Sequence, residues 1–223
     1  MKNITSRISK ILFLSASIVA VYLFVTFLTD SGKNVVFAKI STSSAVTVTL
    51  NVDAGISISA DASTADFSRH LSLANMTAVA SSTWTVTTNN ITGYNLTVKA
   101  STAPAMQQNA TTTVDDFATT STALWSTVPS GAAQFGFSAY GDDVASGGTW
   151  GSGTDCQSTA HVPSTTLKYS GFMISTSTVV ATRSATTTYS GSATTVCYAV
   201  EQKAFYVPSG TYTATITATA ITI

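Results

Sequence analysis

The sequence predicts an all-β protein, an antiparallel β-sandwich preceded by an N-terminal hydrophobic helix. Three observations carry that expectation. Beyond its N-terminus the chain is dominated by Thr, Ser, Ala and Val and is poor in the Leu, Glu, Lys and Arg that build helices. Thr and Val are stiff at χ1 and sit better on a pleated strand than in a helical turn. Apolar and polar residues alternate with a period of two in several segments, the pattern of a half-buried strand. Finally, Ile11 to Leu28 contains no charged residue and follows Lys2, Arg7 and Lys10. About 20 apolar residues suffice to span a bilayer core as a helix.

That N-terminal stretch has two readings. Residues 1–38 form a signal peptide cut after Val36-Phe37-Ala38, or residues 11–28 stay as an N-terminal membrane anchor with the cationic end in the cytoplasm. Cleavage is favoured, and both readings place residues 39–223 at the cell surface or outside the cell. The chain has 10 basic and 10 acidic residues. Lys2, Arg7, Lys10 and Lys33 stand against Asp30 alone in the first 38, leaving 6 basic and 9 acidic residues, net −3, in the exported part. Nucleic-acid binding needs a clustered Lys/Arg face, so it is excluded as a function. Cys156 and Cys197 are the only cysteines, and an even count in an oxidising compartment predicts one disulfide.

The strands follow from alternation. Val46, Val48, Leu50 and Val52 face one way and Thr47, Thr49 and Asn51 the other, which predicts a first strand. Trp84 and Val86 alternate with Thr85 and Thr87, then Tyr94, Leu96 and Val98 alternate with Asn95 and Thr97. With Asn89-Asn90 and Gly93 between them, these two runs read as a hairpin. Further strands are expected at Phe135–Tyr140, Leu167–Tyr169 and Thr194–Val200. In the last, Tyr212, Ala214, Ile216, Ala218 and Ala220 face one side and Thr211, Thr213, Thr215, Thr217 and Thr219 the other. Strands with one apolar face need a second sheet, which predicts an Ig-like, Greek-key sandwich. Residues 39–223 read as a single domain with long Ser/Thr/Gly-rich loops at Ala100–Thr122, Gly141–Asp155 and Ser175–Ser192. A short helix fits Phe67–Met76.

Two segments resemble WxL-type and similar β-sandwich domains of bacterial cell-surface proteins. They are Trp84-Thr85-Val86 leading through Asn89-Asn90-Ile91-Thr92-Gly93 into Tyr94-Asn95-Leu96-Thr97, and Val207-Pro208-Ser209-Gly210-Thr211-Tyr212 leading into Ile216. The resemblance implies a wall-associated surface role. The first motif here reads Trp-x-Val, and Thr217-Ala218-Thr219 stands where a second Trp-x-Leu would fall. Independently of the family, a Pro-x-Gly-Thr-Tyr turn entering a strand suits a tyrosine packed at a sheet corner with its hydroxyl bonded to nearby backbone.

Chemistry-bearing residues are sparse. The exported part has His70 and His161 as its histidines and Glu201 as its sole glutamate, and no Gly-x-Ser-x-Gly elbow occurs. His161 reads as a loop residue beside Pro163. Asp115-Asp116 do not converge on one substrate, because neighbouring strand residues point to opposite faces. Asp142, Asp143 and Asp155 flank the Gly147–Gly153 loop and offer a weak calcium possibility; no cofactor is expected. Trp125, Tyr140 and Trp150 are candidate ligand-facing aromatics for stacking a sugar ring, whereas Trp84 is in phase with the core. The expected function is that of an exported, non-catalytic cell-surface or secreted structural or adhesion protein. Its partners would be cell-envelope polymer or other surface proteins. A carbohydrate-binding module taking a glycan is the alternative, with a secreted hydrolase behind it.

Overall fold

The computed structural model describes residues 44–117, 121–125, 131–145, 147–172 and 176–223. The predicted signal peptide or anchor of residues 1–38, with its apolar run 11–28, lies outside them. The chain divides into two compact units, Met1–Leu50 and Asn51–Ile223. In the first, residues 44–50 have no regular secondary structure and are exposed.

The described residues of the second unit form thirteen strands. In chain order they are β1 (Ile56–Ala60), β2 (Thr77–Thr88), β3 (Tyr94–Ala100), β4 (Met106–Asn109) and β5 (Thr112–Asp116). There follow β6 (Ala123–Leu124), β7 (Ala132–Gly141), β8 (Gln157–Thr159), β9 (Val162–Pro163) and β10 (Lys168–Tyr169). The last are β11 (Thr178–Arg183), β12 (Ser192–Lys203) and β13 (Ile216–Thr222). A six-stranded sheet has the order β1-β2-β12-β7-β5-β4 and a three-stranded sheet the order β11-β3-β13. All pairs in both are antiparallel except β5 with β7. The fold is therefore all-β and sandwich-like, as the composition predicts.

The main core lies between these sheets. Ala78, Ala80 and Val86 of β2, Val196, Tyr198 and Val200 of β12, and Phe135, Phe137 and Ala139 of β7 meet Tyr94, Leu96 and Val98 of β3. All of these obey the predicted period of two. β13 does so as well: Ile216, Ala218 and Ala220 pack on the core while Thr217 and Thr219 are exposed. The Tyr212 hydroxyl donates to the Pro208 carbonyl at 2.9 Å, the corner contact expected of that turn.

A second, smaller core covers the opposite face of the large sheet. Val79, Cys197 and Ala199 point away from the sandwich and are roofed by Phe117, Trp125, Cys156, Leu167 and Tyr169. The Cys156–Cys197 disulfide pins this roof to β12. Gly136 on β7 makes room for it, since a Cβ there would stand 2.8 Å from Phe117 and 3.1 Å from the Trp125 ring.

Four local expectations are corrected. Val46–Val52 forms no strand, and among the described residues regular structure begins at Ile56, because alternation makes a strand only where a neighbour accepts its backbone hydrogen bonds. The runs around Trp84 and Tyr94 are not a hairpin: β2 already has β1 and β12 on its two edges, so β3 crosses to the other sheet. Gly93 makes that crossing at φ +83°, where a Cβ would stand 1.9 Å from the Arg183 carbonyl. Phe67–Met76 is a turn-rich strap without helix, held by the Arg69 guanidinium on the Thr77 carbonyl at 2.6 Å. Two of the expected loops contain strands: β4 and β5 fall in Ala100–Thr122, and β11 falls in Ser175–Ser192.

Two stability predictions follow from these contacts. The disulfide spans a sequence separation of 41, so replacing both cysteines by serine should cost roughly 4 kcal/mol in the chain-entropy account; denaturant unfolding of the double variant measures it. Gly93→Ala should destabilise by more than about 1 kcal/mol, since alanine must take a left-handed backbone against a carbonyl; an unchanged denaturation midpoint would refute that role.

Candidate functional site

The aromatics proposed as a sugar platform are part of the interior. Trp125 is 5% exposed and Trp150 4% exposed. Trp125 stacks on Phe117 with ring centres 4.8 Å apart and meets Tyr169 edge-on at 4.9 Å. Trp150 packs on Phe137 at 5.1 Å, and Tyr140 is half-buried against the second core. No open stacking face is left on either tryptophan, which removes the platform expected from the sequence. Periodicity could not have decided this, because both tryptophans lie outside the alternating runs.

The aspartates are likewise committed to the fold. Asp143 accepts the Tyr94 hydroxyl at 2.7 Å and pairs with Arg183 at 3.0 Å. Burial and the hydrogen bond to Asp143 push the Tyr94 phenol up to about 12. Asp155 accepts the Gln157 amide at 3.0 Å and so closes a local turn. Among the described residues no three His, Cys, Asp or Glu side chains converge as a metal site, Asp142, Asp143 and Asp155 included. Asp116 accepts the Ala105 amide at 3.2 Å, and its carboxyl is raised chiefly by burial. His161 sits in a left-handed turn at φ 67° and is tied through its backbone to Gln157 and Thr77. Its buried Nδ1 has no hydrogen-bond partner, so no serine is paired with it there.

Glu201 is, with Asp116, one of two acids singled out in the sequence whose carboxyls are raised. It lies on β12 beneath the roof and accepts the Trp125 indole N–H at 2.7 Å. Burial raises its carboxyl, while the Trp125 hydrogen bond and the Lys203 charge oppose the rise. No second carboxylate is among these contacts.

What remains open is a groove along one side of the sandwich. Six strands face three, so part of the large sheet's inner face has no strand above it. The strap of residues 62–73 and the segment 206–216 form its walls. Two adjoining clefts result, of about 480 and 370 Å³, which share Phe67, Met106 and Tyr212. The floor includes Ala78 and Val200 in the first and Trp84, Phe135 and Tyr198 in the second. At the same side, Ile58 of β1 points inward opposite Val86 yet is 39% exposed. Among the described residues β13 ends the small sheet there, paired with β3. The groove has an apolar floor, and Arg69, His70, Ser72 and Ser209 stand among the residues that line its first cleft.

Sequence reasoning missed this groove. Its floor residues were legible as core positions, but their incomplete cover depends on how many strands each sheet recruits. No protein family, curated protein or solved structure matches the chain.

The Glu201 environment makes a pH prediction. A carboxyl raised by burial gives a contribution that is fully present below its unfolded value and lost as pH rises through the raised one. Glu201→Gln keeps an acceptor for the Trp125 indole and removes the desolvated charge. The variant's thermal stability should therefore gain on wild type as pH rises from roughly 4 to 7. A gap that narrows over that range in paired melting curves would contradict the assignment.

Proposed function

We propose that this chain is an exported, non-catalytic cell-surface or secreted protein with a structural or adhesive role, built on an Ig-like Greek-key sandwich. The observation that carries the reading is the Cys156–Cys197 disulfide, which holds the roof to the sheet. Disulfides persist in oxidising compartments, which agrees with the charge-flanked apolar run at Ile11–Leu28. The crossing of β2 to β3 between sheets, with β12 returning between β2 and β7, supports the Greek-key assignment. The non-catalytic reading rests on how the polar groups are used: Asp143, Asp116, Glu201 and His161 all serve local structure. The resemblance to WxL-type domains points to cell-envelope polymer or other surface proteins as partners. A glycan-binding module loses its main support with the burial of Trp125 and Trp150.

Cell fractionation tests the location directly. The chain should be recovered with the envelope or in the medium, with Cys156 and Cys197 oxidised. Added back to isolated envelopes, it should sediment with them. Recovery in the cytoplasmic fraction with two free thiols would overturn the reading.

A further inference from the structure

We propose that Asn109, at the tip of the β4–β5 hairpin, carries an N-linked glycan. This rests on the exported reading above, because asparagine glycosylation is a modification of exported chains. It takes asparagine in the triplet Asn-x-Ser/Thr with no proline in the middle. Four such triplets fall among the described residues: Asn75-Met76-Thr77, Asn90-Ile91-Thr92, Asn95-Leu96-Thr97 and Asn109-Ala110-Thr111. In a chain this rich in threonine the triplet alone selects nothing. Local structure separates the four.

At Asn109 all three residues of the triplet are exposed. β4 ends on Asn109 and β5 begins at Thr112, so the chain reverses across the triplet. The Asn109 Oδ1 accepts the Thr111 amide at 2.9 Å, the Thr111 hydroxyl at 3.0 Å and the Thr112 amide at 2.9 Å. Those bonds draw charge onto the oxygen and so loosen the protons on Nδ2. Among the described residues Nδ2 itself has no hydrogen-bond partner. Transfer joins Nδ2 to C1 of a sugar carried on a polyprenyl diphosphate. The bond from C1 to the phosphate oxygen breaks, the diphosphate leaves with that electron pair, and one Nδ2 proton passes to a base of the transferase. The tip also yields easily to an enzyme that draws the triplet into its own site. β4 has four residues, and its register with β5 is irregular at Gln107/Asn109.

The other triplets are committed to the fold. Asn95 lies inside β3, which pairs with β11 and β13. Residues two apart on a strand are separated by about 6.6 Å, too far for the turn that joins hydroxyl to amide. The Thr97 hydroxyl donates to the Thr219 carbonyl at 3.3 Å, and the Asn95 Oδ1 accepts the Thr182 hydroxyl at 2.8 Å. The Asn75 Oδ1 accepts the Arg69 guanidinium at 3.4 Å, while the Thr77 hydroxyl donates to the His161 carbonyl at 3.1 Å. Asn90 forms the same turn as Asn109, its Oδ1 accepting the Thr92 amide at 3.2 Å and hydroxyl at 3.0 Å. It is half-buried, however, and Ile223 covers the turn. The Thr92 hydroxyl is shared with the Ile223 carbonyl, and the Ile223 amide donates to the Gly93 carbonyl at 3.3 Å.

Among the described residues β4 ends the large sheet. A bulky, hydrated group at its tip hinders edge-to-edge association there.

The test uses the chain recovered from its own cells, with location and thiol state read on the same sample. The intact mass should exceed that of the polypeptide by a glycan, and fragment spectra should place the excess on the peptide that contains Asn109. N109Q and T111A should each lose the excess, whereas T111S, which restores the hydroxyl, should keep it. Where N109Q fails to fold, the pair T111A and T111S decides. A bare Asn109 in chain from the envelope or medium, with Cys156 and Cys197 oxidised, overturns the proposal and leaves the exported reading standing. Chain in the cytoplasm with free thiols overturns that reading and the proposal with it. Excess mass on Asn75, Asn90 or Asn95 with Asn109 bare also overturns it, as does a T111A variant that stays modified at Asn109.

Discussion

The structure depends on β12 and β7 being apolar on both faces. Val196, Tyr198 and Val200 of β12 enter the main core, while Cys197 and Ala199, at the intervening positions, enter the second one. On β7, Phe135 and Phe137 point into the sandwich and Gly136 between them yields to the Trp125 ring on the other side. A sheet of this kind is stable only with a cover on each face, since every exposed apolar side chain forgoes its transfer free energy. The small sheet supplies one cover. A roof of short strands and turns supplies the other, and its sparse regular structure explains why a disulfide ties it to β12 rather than a ladder of hydrogen bonds.

The two covers are unequal in kind, and that inequality shapes the surface. The roof is closed by aromatic stacking among Phe117, Trp125 and Tyr169. The small sheet has three strands to lay over six. The strap of residues 62–73 and the segment approaching β13 fill part of the shortfall, leaving the groove floored by Trp84, Phe135 and Tyr198.

The polar groups show how little of the charge is free for chemistry. Asp143 joins Tyr94 of β3 to Arg183 of β11, so it fixes the edge of the small sheet. Glu201 accepts a hydrogen bond from the Trp125 indole N–H and so orients the central ring of the roof. Such acids stabilise a single arrangement of loops, and the raised carboxyls of Asp116 and Glu201 record the cost of burying charge.

By itself the sequence determined the class of the fold, the inward faces of β2, β3 and β13, the Tyr212 corner and the pairing of Cys156 with Cys197. Each depends on local periodicity, turn chemistry or a count of two cysteines, all carried within short stretches of chain. Tertiary structure alone decided which strands are neighbours: that β2 and β3 part into separate sheets, that Trp125 and Trp150 are roofed over, and that Val46–Val52 has the pattern of a strand without its pairing. The reason is physical. Alternation assigns a side chain to a face, but a strand is completed by hydrogen bonds from residues far away in the chain, and the number of strands each sheet recruits is written in no single segment.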